Sequence, residues 1–282
     1  MYIDTHCHLN FKDFKEDADE VISRSLADNT QMILVGSEQK TSKRAVEYAN
    51  KYDSGVYAAI GLHPIHLEDI SVKNDSAEGK YEFESHAEAF NYEYYYNLAH
   101  NNKKVVAIGE IGLDYYHLPE DKNIPEVKLH QQQVLKELLL LAHNLKLPVI
   151  IHCREAHDDL LPLLTDFYEQ YKTDQKREWG VIHCFSGDEK LAAQYQELNL
   201  MISFTGLITF AKNWDEVIKN FPLEKIMIET DSPYMAPVLF RGKRNEPIYV
   251  KYVAEKIAQL KGLTNKEVED RTFANAQRVF GL

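Results

Sequence analysis

The sequence predicts an α/β protein built as a (β/α)8 TIM barrel, and three observations support this fold class. Short runs rich in Val, Ile, Leu and Met, which suit strands buried on both faces, alternate with segments of helical period. Eight such runs fit a chain of 282 residues, since barrels of this kind commonly have about 250. No Gly-x-Gly-x-x-Gly follows the first run, which disfavours the alternative fold, an open doubly wound sheet.

The apolar runs place the predicted strands, and the segments between them place the helices. The clearest helix is predicted over 126–146, because Pro125 suits the first turn of a helix and Pro148 stops one. Its apolar positions recur at helical spacing: Val127, Val134, Leu138, Leu141 and Leu145. Two or three terminal helices are predicted over 248–260, 265–270 and 272–280. The predicted strands cover residues 2–4, 32–35, 56–60, 105–108, 149–151, 180–182, 201–204 and 226–228.

The connection between the third and fourth strands is longer than a barrel requires. A polar piece at 71–80 precedes a predicted helix with apolar residues at spacings of three or four, from Phe83 to Leu98. The tyrosine-rich stretch at 92–96 could stack on bases, but an aromatic stripe at helical spacing is more often core, and we favour packing. We predict a single domain over residues 1–282, with an enlarged insertion at about 68–104.

Composition limits the classes of partner. The chain has 32 basic and 44 acidic residues, a net charge of −12 that disfavours a non-specific nucleic-acid coat but permits a local basic rim around a metal-filled cleft. It shows no signal-peptide pattern, and no apolar run approaches the ~18 residues of a membrane span. The three cysteines lack framework spacing and are interpreted as packing residues. We predict a cytoplasmic protein with no membrane association and no obligate protein partner.

Residues that can bind metals follow five of the predicted strands. Alternate side chains of a strand share a face, so two histidines at the end of the first strand can serve one metal. In a closed barrel, the carboxyl ends of all strands meet at one mouth. A single histidine there is more often structural, but six candidates from five strands are not well explained that way. The candidate ligands are His6, His8, Glu110, His152, His183 and Asp231.

This ligand set is large enough for two divalent ions, with Glu110 able to reach both. Mixed imidazole and carboxylate ligands suit Zn²⁺, Mn²⁺, Co²⁺ or Fe²⁺, with Mg²⁺ an option at the more oxygen-rich position. Two such ions can hold a bridging hydroxide and polarise the bond under attack. Asp231 would orient this hydroxide and accept its proton, so Asp231 and Glu110 are predicted catalytic residues. The alternative role for Asp231 is a cap on the following helix.

Substrate contacts are predicted from position and charge. His63 follows the third strand, outside the ligand set, and could hold a phosphate oxygen or donate a proton; a supporting role beside the ligands is the alternative. Arg154 follows His152 and could pair with a phosphate, as could Arg241 and Arg244 in the loop after the last strand. For these arginines the alternatives are a solvated loop or ion pairs with the acidic surface.

Several motifs stand at these strand ends, and together they resemble the TatD family of metal-dependent deoxyribonucleases. The match runs from residue 3 to the C-terminus. The motifs are Asp-Thr-His-Cys-His at 4–8, Gly-Leu-His-Pro at 61–64, Val-Ala-Ile-Gly-Glu-Ile-Gly-Leu-Asp-Tyr-Tyr at 106–116, Leu-Pro-Val-Ile-Ile-His-Cys-Arg at 147–154, His-Cys-Phe-Ser-Gly at 183–187, Ile-Glu-Thr-Asp-Ser-Pro-Tyr at 228–234 and Arg-Gly-Lys-Arg-Asn-Glu-Pro at 241–247.

The resemblance implies a barrel of the metallo-dependent hydrolase type, with the six candidates as ligands of two divalent ions (Mg²⁺, Mn²⁺, Zn²⁺ or Co²⁺). It also implies hydrolysis of DNA, as single strands or strand ends, often in the 3′→5′ direction. The sequence departs from the family pattern in two places. Ile65 stands where many members have a histidine, with His66 one position later, and the insertion is longer and richer in tyrosine.

Two other functions stay open from the sequence. The first is another hydrolase on the same barrel, such as an amidohydrolase, deaminase, phosphotriesterase-like enzyme or aminoacyl-ester hydrolase. Many of those bridge their metals with a modified lysine after the fourth strand, whereas here the residue is Glu110 and no lysine occurs between Val105 and Lys122. The second is a non-catalytic, metal-bound binding scaffold. Six ligands for two ions leave positions open for water, which favours catalysis over a closed structural site.

Overall fold

The computed structural model describes residues 1–76, 79–171 and 178–282, and within them eight parallel strands form a nearly closed barrel. The barrel strands are hydrogen-bonded to one another in the order in which they occur along the chain. A parallel bridge between Cys7 and Ser232 joins the first strand to the segment after the last. The barrel strands are β1 Tyr2–Cys7, β2 Thr30–Val35, β3 Val56–Ile60, β6 Val105–Asp114, β7 Val149–Arg154, β8 Gly180–Ile182, β9 Leu200–Phe204 and β10 Ile226–Ile228. The predicted barrel is confirmed.

Helices follow the strands and cover the outside of the sheet. Pro125 lies in the first turn of the helix predicted at 126–146, where its missing N–H costs nothing. The last helix is continuous where two short ones were predicted, and a capping box of Thr264 and Glu267 starts it. The helices are α1 Ala18–Ala27, α2 Gln39–Ala49, α3 Tyr92–His100, α4 Ile124–Leu145, α5 His157–Tyr171, α6 Glu189–Glu197, α7 Asp215–Asn220, α8 Val250–Lys261 and α9 Asn265–Phe280.

Apolar side chains fill both faces of the barrel wall. One buried cluster lies between the sheet and the helices. A second joins inward-facing residues near the strand starts, such as Ile3 and Ile33, to Val279 and Phe280 of α9. The amino-terminal end of the barrel is therefore packed shut, which leaves the carboxyl end as the open mouth. Within the described ranges, every helix is too short or too polar to span a bilayer.

The prediction for the insertion was partly wrong. Instead of a helix beginning near Phe83, the chain forms an antiparallel hairpin of β4 (Ile70–Ser76) and β5 (Gly79–Ser85) before α3 begins. The cause is a local period of two, in which Phe83 alternates with the exposed Glu82 and Glu84. The expectation that the tyrosines pack is confirmed, because Tyr95 is fully buried and its neighbours rest on the core.

Candidate metal centre

The mouth of the barrel brings the six predicted ligands together. The first group comes from the two ends of the strand order. His6 Nε2 lies 3.1 Å from His8 Nε2, and Asp231 Oδ1 lies 3.6 Å and 3.2 Å from these two atoms. All three side chains are nearly inaccessible to solvent. Their donor atoms could therefore surround one ion.

Glu110 stands between this group and a second one. Its Oε2 lies 3.4 Å from His6 Nε2, on the side of the first group. Its Oε1 lies 3.1 Å from both His152 Nδ1 and His183 Nε2, and 3.4 Å from His63 Nε2. Each carboxylate oxygen therefore faces a different set of imidazoles. This arrangement suits the bridging position predicted for Glu110.

The proton positions of three histidines also suit a metal. His8 Nδ1 lies 2.8 Å from the carbonyl of Val35, which can only accept, so the proton of His8 is on Nδ1. In the same way, His183 donates from Nδ1 to Glu229 Oε1 at 3.0 Å, and His152 donates from Nε2 to Asp114 Oδ2 at 3.2 Å. The other nitrogen of each ring faces the acids at the mouth. It carries a second proton when it donates to those acids, and it presents a lone pair to a metal once that proton is lost.

The spacing of the donor atoms agrees with this interpretation. Ligand atoms around a tetrahedral ion with bonds of about 2.1 Å are about 3.4 Å apart. The separations given above, together with 3.8 Å between His8 Nε2 and Glu110 Oε2, run from 3.1 Å to 3.8 Å, and within each candidate group all donor atoms lie within 4.8 Å of one another. The residues present therefore fit a metal centre.

Electrostatics at the mouth favour a cation. Burial alone would raise the pKa of Glu110, but the surrounding histidines hold that pKa well below its usual range. Burial would likewise lower the pKa of His152, yet its bonds to Asp114 and Glu110 raise it to about 9. The acids thus create a field that attracts positive charge. A divalent ion competes for the same positions as these imidazole protons.

Two buried acids that the sequence reasoning did not single out hold the ligands in place. Asp114 accepts hydrogen bonds from His152 Nε2 and from His117 Nδ1, the latter at 2.8 Å. Glu229 accepts hydrogen bonds from His183 Nδ1, from the backbone N–H of Cys184 and from the hydroxyl of Ser203. Both acids lie within the motifs quoted above, close in sequence to Glu110 and Asp231. That closeness was the only feature of the sequence that could have pointed to them.

A third buried acid, Asp4, joins the first strand to the segment after the last. Its carboxylate accepts the N–H of Thr230 at 2.8 Å and the Thr230 hydroxyl at 2.5 Å. The N–H of Asp231 in turn bonds the carbonyl of His6 at 2.8 Å. Asp231 has a positive φ of 54°, and its carbonyl accepts a bond within a turn from Tyr234 N. The alternative role as a helix cap is therefore not what its geometry supports.

The predicted substrate residues have different surroundings. His63 accepts the N–H of Ile65 on Nδ1 at 3.1 Å, so its Nε2 carries the proton and faces Glu110. Arg154 lines the cavity at the mouth, with its guanidinium 4.0 Å from the ring of Tyr116. Arg241 is exposed, lies over the ring of Phe210 at 4.3 Å and does not line the cavity.

Arg244 is engaged elsewhere. Its guanidinium bonds Asp17 at 2.9 Å and 2.5 Å and lies 3.4 Å from Glu246. Arg244 therefore follows the alternative of ion pairs with the acidic surface. A phosphate could bind its guanidinium only by displacing the carboxylates of Asp17 and Glu246. Arg244 therefore lacks the free charge that the predicted substrate contact requires.

The cavity above the metal centre has a volume of about 190 Å³. Its floor carries the imidazoles and acids, and apolar side chains supply much of its wall. Cys153 and Cys184 also reach this surface, although neither belongs to a candidate ligand group among the described residues. The apolar wall includes Phe11, Ile65, Val72, Phe83, Leu207 and Trp214.

A barrel with this set of imidazoles and acids at its mouth has the architecture of the metal-dependent hydrolases. The family model described as "TatD related DNase" matches residues 3–281. The chain therefore belongs to the TatD family. It is 39% identical to the uncharacterized metal-dependent hydrolase YabD of Bacillus subtilis strain 168, over 100% of both chains.

Comparison with solved structures supports the same family and the same fold. The crystal structure of YjjV, a TatD homolog from Escherichia coli K12, has a TM-score of 0.82 and 30% identity, covering 100% of this chain and 98% of that one. N-isopropylammelide isopropylaminohydrolase from Burkholderia multivorans shares the barrel alone, with a TM-score of 0.53 and 12% identity over 100% of this chain and 74% of that one. The predicted resemblance and fold class are confirmed.

Proposed function

We propose that this protein is a divalent-metal-dependent deoxyribonuclease that hydrolyses phosphodiester bonds at the 3′ ends of single-stranded DNA. The observation that carries the proposal is Glu110, whose two oxygens face separate groups of imidazoles. His6, His8, Glu110, His152, His183 and Asp231 would hold two divalent ions, the kind of centre that hydrolyses phosphodiesters. Bound there, the ions would polarise the phosphate and lower the pKa of water.

The residues of the chain would supply orientation and proton transfer. Burial would raise the pKa of Asp231, but the facing His8 ring and the nearby histidine charges lower it, so the carboxylate stays ionised. An ionised carboxylate can orient a water molecule, and it could take up the proton of a water whose own pKa bound metal ions would lower. His63 can donate a hydrogen bond from Nε2 to a phosphate oxygen. Arg154, on the cavity wall, can pair with the same phosphate.

The proposal is tested with end-labelled single-stranded DNA and metal-stripped protein. We expect two ions per chain by elemental analysis after reconstitution with Mn²⁺, Zn²⁺ or Co²⁺. With those ions or Mg²⁺, we expect release of nucleotides from the 3′ end. Asp231→Asn should lower kcat by about 10²–10⁴-fold, because it removes the proton acceptor. The exposed Asp158→Asn is the control and should leave the rate unchanged.

Three outcomes would contradict parts of the proposal. Hydrolysis of a small ester or amide with no cleavage of DNA would point to another hydrolase on this barrel. Chelation that unfolds the protein, without turnover of any nucleic acid, would support a metal-bound scaffold. If excess Mn²⁺ restored the activity of Asp231→Asn, Asp231 would act as a ligand and not as the proton acceptor.

A further inference from the structure

The hairpin of β4 and β5 has one polar face and one apolar face. Glu82 and Glu84 are exposed on one side, where Lys73 Nζ lies 2.7 Å from Glu82 Oε1. Val72 and Phe83 are opposite each other in the strand register and line the cavity over the metal centre. The face that a free hairpin would expose is therefore turned toward the site.

Hydrogen bonds fix the base of this hairpin beside the motif that contains His63. Ser85 Oγ donates to the carbonyl of Ile65 at 2.8 Å and so must accept the proton of His66 Nδ1 at 2.7 Å. His66 Nε2 is left to accept from Ser37 Oγ at 3.2 Å. Burial lowers the pKa of His66 to about 3, which keeps this ring neutral in the chain of bonds. His66 thus positions the hairpin.

The cavity consequently has two chemically different sides. Glu110, His63 and Asp231 supply polar lining, whereas Val72 and Phe83 of the hairpin add an apolar surface whose aromatic ring joins those of Phe11 and Trp214 in the lining. A nucleotide divides in the same way, into a charged phosphate and a flat, largely apolar base. An aromatic ring accepts any base by stacking, because every base has a π-face.

We propose that Phe83 stacks on the base of the terminal nucleotide whose phosphodiester is cleaved, so that the hairpin makes the site selective for strand ends that carry a base. The inference rests on the proposed nuclease function, since it assigns a subsite to that reaction. Val72, beside Phe83 in the register, would limit the space on this side of the base. The remainder of the strand would leave the cavity away from the hairpin.

The test compares two single-stranded oligonucleotides that differ only at the end attacked. One ends in a normal nucleotide and the other in an abasic tetrahydrofuran analogue. We expect the wild-type protein to prefer the base-bearing end by about tenfold in kcat/KM. Phe83→Ala and Phe83→Leu should abolish this preference by lowering kcat/KM for the base-bearing end toward the value for the abasic end, whereas Phe83→Tyr should keep it. Glu84→Ala, on the opposite face of the same strand, should behave as wild type.

The outcomes separate this inference from the proposed function. Cleavage of both ends at equal rates by the wild-type protein would overturn the stacking role and leave the nuclease assignment standing. An equal loss on both substrates in Phe83→Leu would mean that Phe83 only supports the fold, which also overturns the role. If the wild-type protein cleaves neither oligonucleotide in the presence of metal, both proposals fail.

Discussion

The orientation and the tautomer of a ligand histidine depend on the group that accepts a hydrogen bond from its other ring nitrogen. His152 presents Nδ1 to Glu110 because Asp114 accepts its Nε2 proton. Asp114 also accepts the backbone N–H groups of Tyr116 and His117 on its other oxygen. The carboxylate therefore sets both the orientation of the His152 ring and the nitrogen that carries its lone pair.

Asp114→Asn should weaken metal binding by about 10–100-fold. The amide oxygen can still accept the two backbone N–H groups, but the amide nitrogen would then face His152 Nε2 and favour the wrong tautomer. Competition with a chromophoric chelator, on metal-stripped protein, measures the affinity. The matched control is Asp159→Asn. Asp159 is an exposed residue of α5, and its carboxylate accepts a hydrogen bond from the hydroxyl of Tyr115. Equal affinity in Asp114→Asn and wild type would show that Asp114 does not orient the ligand.

The sequence was sufficient to bring the six candidate ligands together, because each one follows a predicted strand and parallel strands end at one mouth. The sequence was not sufficient to predict that Asp114 and Glu229 orient the ligand histidines. Their role depends on which ring nitrogen each carboxylate meets, and spacing along the chain does not encode that. It also did not reveal that Arg244 is paired, since Asp17 lies far away in sequence and approaches only through the fold.

At the scale of elements, the long apolar strands were predictable and the hairpin was not. A barrel strand is buried on both faces, so its composition alone is distinctive. The hairpin has one polar face and adds charged residues between its apolar ones, and such a short alternation competes with a helical interpretation. The continuity of α9 was also missed, although no breaker separates Asp270 from Thr272; in the structure the helix runs on and its last turns pack against the barrel.

One cluster of charges joins α9 to the start of β8, and it should make stability depend on pH. Burial would raise the pKa of Glu178, but hydrogen bonds from Arg278 and Lys225 lower it to about 2. A lowered pKa stabilises the fold above the unfolded value of 4.5, and this contribution is lost as the pH falls toward 2. Because solvent screens part of this interaction, Glu178→Gln should cost less than the full shift implies, roughly 2 kcal/mol at neutral pH.

Urea unfolding at several pH values measures this difference. The gap between wild type and Glu178→Gln should be largest near pH 7 and shrink below pH 4.5. The control is Glu137→Gln, an exposed residue of α4, which should match wild type throughout. A gap that stays constant with pH would mean that the amide disrupts packing and that the carboxylate charge contributes nothing.

For the whole molecule, the net charge of −12 conflicts with a polyanionic substrate. Bound metal ions would reverse the field at the mouth locally, so few contacts to the strand need come from arginine or lysine. For a single strand, the logarithm of affinity falls with the logarithm of salt by about 0.7 for each phosphate contact. We therefore expect a shallow salt dependence, with a slope of about −0.7 to −2 for one to three contacts.

The two arginines of the last loop make this expectation specific. Arg241 is exposed and could contact a phosphate, so Arg241→Ala should reduce the slope by about 0.7 in kcat/KM measured between about 50 and 200 mM salt. Arg244→Ala should leave the slope unchanged, because its charge is already neutralised by Asp17 and Glu246, and it should lower thermal stability instead. If Arg244→Ala flattened the slope and Arg241→Ala did not, the strand would leave the cavity over Asp17, and the assignment of the two arginines would be reversed.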